Sequence, residues 1–72
     1  MKLNPVTSSL LSELGYDPAT QTAYARFAKN GQLYSYHNMP QSVFDEWRAA
    51  ESVGSFFLRN IKPYYSFAKI EE

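Results

Sequence analysis

The dipeptide Asn30-Gly31 leaves this chain few choices, because it sits between two short runs of alternating character, Ala23-Tyr24-Ala25-Arg26-Phe27 and Leu33-Tyr34-Ser35-Tyr36. A type I′ turn needs positive φ at both central positions, which Asn and Gly adopt most readily, so the two runs are expected to pair as a β-hairpin. With Asn30 and Gly31 as the turn, Phe27 faces Tyr34 and Ala25 faces Tyr36, and all four share one face. Asp17-Pro18-Ala19-Thr20 is a second turn signal, with Pro18 preset for the second position of a type I turn. Centred on Pro18 and Ala19, that turn sets Leu14 opposite Ala23, Ser12 opposite Ala25 and Leu10 opposite Phe27. Both registers then place Leu10, Leu14, Ala23, Ala25, Phe27, Tyr34 and Tyr36 on one side of a three-stranded meander.

Met39-Pro40-Gln41-Ser42 reads as a helix start, and Val43, Phe44, Trp47 and Ala50 follow with the spacing of one apolar helix face. Asp45 and Glu46 come early in this helix and Arg48 late, the order that complements the helix dipole, and the helix is expected to end near Glu51. Ser52 caps a second short helix through Phe57, Leu58 and Ile61, which Pro63 stops. Tyr64 to Ile70 reads as an extended tail or edge strand. The expected fold is therefore α+β, a three-stranded antiparallel β-meander followed by two α-helices packed on one face, in a single domain over residues 1–72. A domain of 72 residues buries only roughly 60% of its unfolded surface. With no cysteine to form disulfides, the six Tyr, five Phe and one Trp must supply most of the core.

Several function classes drop out by counting. No stretch approaches the roughly 20 apolar residues of a membrane span, and MKLNPVTSS lacks the apolar region of a signal peptide, so a cytoplasmic protein is expected. Zero cysteines and the single histidine, His37, remove the usual zinc constellations, and neither a metal nor a cofactor is expected. Gly15, Gly31 and Gly54 lie too far apart for a phosphate-cradling loop. Seven basic residues balance seven acidic ones, without the overall basicity of a nucleic-acid binder.

The ordered series Ser8-Ser9, Leu14-Gly15-Tyr16-Asp17, Phe27, Gly31, Tyr34-x-Tyr36, Met39-Pro40, Phe44, Ala50-x-Ser52-x-Gly54, Phe56-Phe57, Ile61 and Tyr64-Tyr65 resembles the KTSC domain family. That family is named for its occurrence at the C-terminus of some lysyl-tRNA synthetases and also exists as free-standing small proteins. The resemblance covers residues 8–70. Met39 stands where the family more often has a β-branched residue, and Ala28-Lys29 lengthens the approach to the turn. The resemblance implies a fold, and for function it implies binding of RNA or protein.

Tyr34 and Tyr36, alternate on one strand, have the spacing of a base-stacking platform, but they share the face of Phe27 and Leu14 and are expected in the core. Trp47 belongs to the helix stripe and is expected there too. The opposite sheet face carries Tyr24, Arg26, Leu33, Ser35 and His37, while Arg59 and Lys62 form a basic cluster beside Tyr64-Tyr65. Tyr24, Arg26, Ser35, His37, Arg59 and Lys62 are therefore the expected partner-binding residues, Arg and Tyr being enriched in interface hot spots. His37 has Ser35 two residues away but no orienting acid in the pattern, so catalysis is not expected. Two classes remain. One is a monomeric protein-binding module, such as a small bacterial or phage regulator that docks on a host machine like RNA polymerase. The other is an RNA-binding accessory domain. Arg59, Lys62 and Lys69 would neutralise about three phosphates where strong electrostatic binders engage roughly six to ten, which ranks protein above RNA.

Overall fold

The computed structural model describes residues 2–71. One antiparallel sheet holds five strands in sequence order: β1 (Leu3–Pro5), β2 (Leu11–Asp17), β3 (Thr22–Phe27), β4 (Leu33–Tyr36) and β5 (Phe67–Ile70). Between β4 and β5 the chain forms α1 (Gln41–Arg48) and α2 (Val53–Phe56), and α2 runs on as a π-helical turn, Phe57–Ile61. The expected α+β arrangement with two helices stands, but the strand number is five, not three. β5 is the stretch that alternation marked as an extended tail or edge strand. β1 had no signal of its own, since Leu3-Asn4-Pro5 is short and carries a proline. It pairs through Leu3 with Gly15 and Pro5 with Glu13, on an edge where a missing donor is tolerated.

Both hairpin registers differ from expectation by two residues, and loop length is the reason. Ala25 opposes Tyr34 and Ala23 opposes Tyr36, and Phe27 N–H donates to the Gln32 carbonyl at 2.9 Å. The loop is therefore residues 28–31, closed by Gly31 N–H donating to the Phe27 carbonyl at 2.9 Å. Gly31 alone takes positive φ, at 72°, while Asn30 uses its side-chain Oδ1 to accept from Gln32 N–H at 3.1 Å. The first hairpin repeats this design: Asp17 opposes Thr22, and Gln21, last of its loop, has φ 54°. A slip of two conserves faces, because strand side chains alternate with period two. Leu14, Ala23, Ala25, Phe27, Tyr34 and Tyr36 thus stay on one side. A bulge between Leu11 and Glu13 breaks that alternation, burying Leu11 completely and leaving Leu10 at the margin of the core.

The helices cover this same side. Trp47 is fully buried, stacked on Phe57 at 5.8 Å and edge-on to Tyr36 at 6.4 Å, and its Nε1–H donates to the Val53 carbonyl at 3.2 Å. Tyr16 lies flat on Phe44 at 4.9 Å, and its hydroxyl donates to the Met39 carbonyl. α1 stops at Arg48, short of Glu51, and its first turn holds no acid; Arg48 instead pairs with Asp45 at 3.5 Å on the surface. Ser52 caps α2 as expected, accepting from Ser55 N–H at 3.2 Å. Gly54 lets α2 press on the segment before β2, since a Cβ there would lie 3.1 Å from Ser8 Oγ and 3.3 Å from Leu10 Cβ. In the π-helical turn Lys62 N–H donates to the Phe57 carbonyl at 2.9 Å, and Phe57 and Ile61 both point into the core. Leu58, which the sequence groups with Phe57 and Ile61 in the second helix, is 52% exposed while those two are buried.

Candidate functional site

The sheet side away from the helices gathers four of the six expected partner-binding residues, Tyr24, Arg26, Ser35 and His37. Register explains how they meet. Ser35 lies between Tyr24 on β3 and Ala68 on β5, while Leu33 lies between Arg26 and Ile70. Leu33 and Ser35 are buried on this side of the sheet, away from the helices. Arg26 is committed to the fold. Its Nε donates to Glu13 Oε1 at 2.8 Å across β2, and its Nη1 donates to the Gly31 carbonyl at 2.8 Å, fastening the second hairpin loop. Ser35 Oγ lies 2.9 Å from His37 Nε2 and 3.4 Å from the Ala68 carbonyl oxygen. That is the reach of a nucleophile and base, closer than strand neighbours alone suggest. Among the described residues no acid hydrogen-bonds the imidazole to orient it, and Ser35 is only 7% exposed.

Arg59 and Lys62 stand on a different element from that group, the segment between α2 and β5. Both are exposed on the π-helical turn or just after it, on the helix side. Lys62 there borders a groove of about 310 Å³ between the turn and the sheet. Leu10, Phe27, Tyr34, Tyr36 and Phe57 make its floor, and Leu58, Phe67, Asn30 and Lys62 its rim. Leu58 at 52% and Phe67 at 61% exposure are two of the three large apolar side chains, with Tyr64, left exposed among the described residues. Among the described residues no acidic side chain lines the groove, and Lys69, opposite Tyr34 on β5, adds a second cation on the same face.

The floor rings are locked against one another. Phe27 meets Tyr34 at 5.3 Å with planes at 85° and Phe57 at 5.5 Å with planes at 76°. Tyr36, as expected, is core, 3% exposed. Burial, and secondarily the neighbouring Tyr34, push its phenol up to about 12. Leu10 and Leu58 also line a polar cleft of about 400 Å³, where Ser8 and Ser9 face Ser52 and Gly54. These two segments, distant in sequence, are both part of the KTSC-like pattern. Among the described residues no group of three His, Cys, Asp or Glu is placed to hold a metal ion, and no helix is long and apolar enough to cross a membrane.

Leu10, Leu58 and Phe67 are the groove residues that sequence reasoning missed as surface. Leu58 carries a helix-face spacing that the π-helical turn overrides. Phe67 carries a usable signal, since with Tyr65 and Lys69 it alternates against Tyr64, Ser66, Ala68 and Ile70 in a stretch that reads as an edge strand.

Comparison with known proteins supplies an independent line. The KTSC domain family model matches residues 7–65. A protein of Tsukamurella paurometabola is 43% identical over 63 residues, covering 88% of this chain and 92% of that one. One of Stutzerimonas stutzeri is 36% identical over 72 residues, covering 99% and 100%. The crystal structure of a KTSC domain protein from Yersinia pestis superposes with a TM-score of 0.92 at 31% identity, over 97% of each chain.

Proposed function

The chain belongs to the KTSC domain family, and on that premise we propose that it is a non-enzymatic protein-binding module whose groove between Leu58 and Phe67 receives an apolar side chain of a partner protein. One observation carries the reading: two large apolar side chains, each more than half exposed, flank a single aromatic-floored groove. Exposed apolar surface gathered around a concavity is how partner and ligand sites are built, whereas scattered exposed residues need no explanation. The Lys62 rim, with no acid lining the groove among the described residues, favours a partner segment that carries acidic residues. In this reading the module is a monomeric cytoplasmic protein that docks on a larger bacterial machine, RNA polymerase being one candidate.

The groove's geometry ranks RNA second. Stacking successive bases needs several aromatic faces turned to solvent, but the floor rings stand edge-on to one another and, among the described residues, Phe67 is the one exposed ring lining the groove. The test is capture from bacterial lysate on the immobilised chain, with and without nuclease, comparing wild type with Leu58→Asp. Protein retained after nuclease by wild type and lost by Leu58→Asp, with circular dichroism unchanged, supports the proposal. Capture that nuclease abolishes, or that Leu58→Asp leaves intact, overturns it.

A further inference from the structure

The sheet has two edges, and they are unlike. β1 is three residues long and bears Pro5, a common guard against strand addition. β5 has neither proline nor bulge. His37 N–H donates to the Ser66 carbonyl at 3.0 Å, and Ser35 opposes Ala68. Antiparallel hydrogen-bonded pairs alternate, so the backbone groups of Ser66, Ala68 and Ile70 turn toward β4. Those of Phe67 and Lys69 turn outward, presenting two N–H donors and two carbonyl acceptors. The side chains of Phe67 and Lys69 lie on the groove face, opposite Tyr36 and Tyr34.

Lys69 decides what such an edge accepts. A lysine on an edge strand disfavours an apolar or basic newcomer, while an acid directly opposite it forms a favourable cross-strand pair. We propose that β5 takes an extended segment of the partner protein as a sixth antiparallel strand, with an acidic residue opposite Lys69 and an apolar residue two positions later, opposite Phe67. The order follows from antiparallel pairing, and the apolar residue extends the groove wall beyond Phe67. Glu71, one strand period past Lys69, disfavours a second acid two positions earlier in the segment. A second copy of this chain fits less well, because overlapping Phe67–Ile70 with itself sets Lys69 opposite Phe67 or another Lys69, and only a pairing shifted past the end of β5 would bring Glu71 opposite it. The inference rests on the protein-binding reading and adds to it a binding mode and a sequence preference.

The experiment uses the isotope-labelled full chain and the capped peptide Thr-Glu-Thr-Phe-Thr, read by amide hydrogen exchange. Saturating peptide should slow exchange of the Phe67 and Lys69 amides by about tenfold and leave Ala68 and Ile70, already bonded to β4, unchanged. Replacing the peptide's Glu by Lys should weaken binding about fivefold, and the exposed-site variant Lys69→Glu should reverse that preference. Resonance shifts confined to Leu10 and Leu58, with no slowing at Phe67 and Lys69, would overturn the edge inference while leaving the groove reading intact. Slowing that grows with protein concentration and needs no peptide would assign the edge to a second copy and also overturn it. Failure of this peptide to bind at millimolar concentration refutes the stated preference, and the Leu58→Asp capture then judges the groove separately.

Discussion

Replacing Trp47 by alanine removes the side chain that joins both helices to the sheet. Its ring is wholly buried, with contacts to Phe57 at 5.8 Å, Phe44 at 6.0 Å and Tyr36 at 6.4 Å. Deleting a buried Trp costs about 3–5 kcal/mol, and the loss of favourable ring pairs places this site toward the upper end. A chain of 72 residues has about 4–11 kcal/mol of total stability, so Trp47→Ala should lose a large share of it, and a wild type at the low end of that range would leave the variant largely unfolded at room temperature. Trp47→Phe separates packing from polarity. It keeps a ring against Phe57 and loses the Nε1–H bond to the Val53 carbonyl, which also accepts from Phe57 N–H and so is not orphaned. That variant should cost about 1–3 kcal/mol. Urea denaturation followed by far-ultraviolet circular dichroism suits both, since each lacks the only tryptophan. A loss below about 1 kcal/mol for Trp47→Ala would refute the packing argument.

Gly31 has φ 72° and open space where a Cβ would stand, so Gly31→Val should cost about 1–3 kcal/mol through backbone strain alone, and Gly31→Asn clearly less; equal denaturation midpoints would contradict the left-handed assignment. Tyr36, neutral in the fold up to about pH 12, contributes stability that is complete below its ordinary ionisation near 10 and is lost as pH rises through about 12; phenolate absorbance and denaturation across that window check it. Arg26→Ala should cost about 0.5–1.5 kcal/mol, because Arg26 holds Glu13 and the Gly31 carbonyl, whereas Arg59→Ala on the exposed turn should stay within about 0.5 kcal/mol; matched midpoints for the two would refute the distinction.

The face pattern of the sheet was legible in the sequence because period-two alternation survives an even register error. The hairpin loops were read two residues too short, yet Ala23, Ala25, Tyr34 and Tyr36 still fell on the covered side. Leu11 escaped because a bulge shifts alternation by one residue and leaves no compositional mark. β1 escaped because three residues with a proline gain their strand geometry from β2 and carry little of it themselves. At the candidate site, the charge of Lys62 is visible in the sequence, while its place beside the groove is visible only in the fold. Helix spacing groups Leu58 with Phe57 and Ile61 but does not show that the π-helical turn leaves Leu58 outside the core. Arg26 has the composition of a hot spot, but only the fold reveals that its guanidinium is spent on Glu13 and a loop carbonyl.

The groove assignment is tested most directly by methyl and aromatic resonance spectra of the labelled chain, recorded with and without the protein partner recovered by nuclease-resistant capture. The account predicts that Leu10, Leu58, Tyr34 and Phe67 shift or broaden while Tyr24 and His37 on the opposite sheet face stay unmoved. Perturbation of Tyr24 and His37 with Leu58 and Phe67 unchanged would contradict it and return the binding surface to the open face of the sheet.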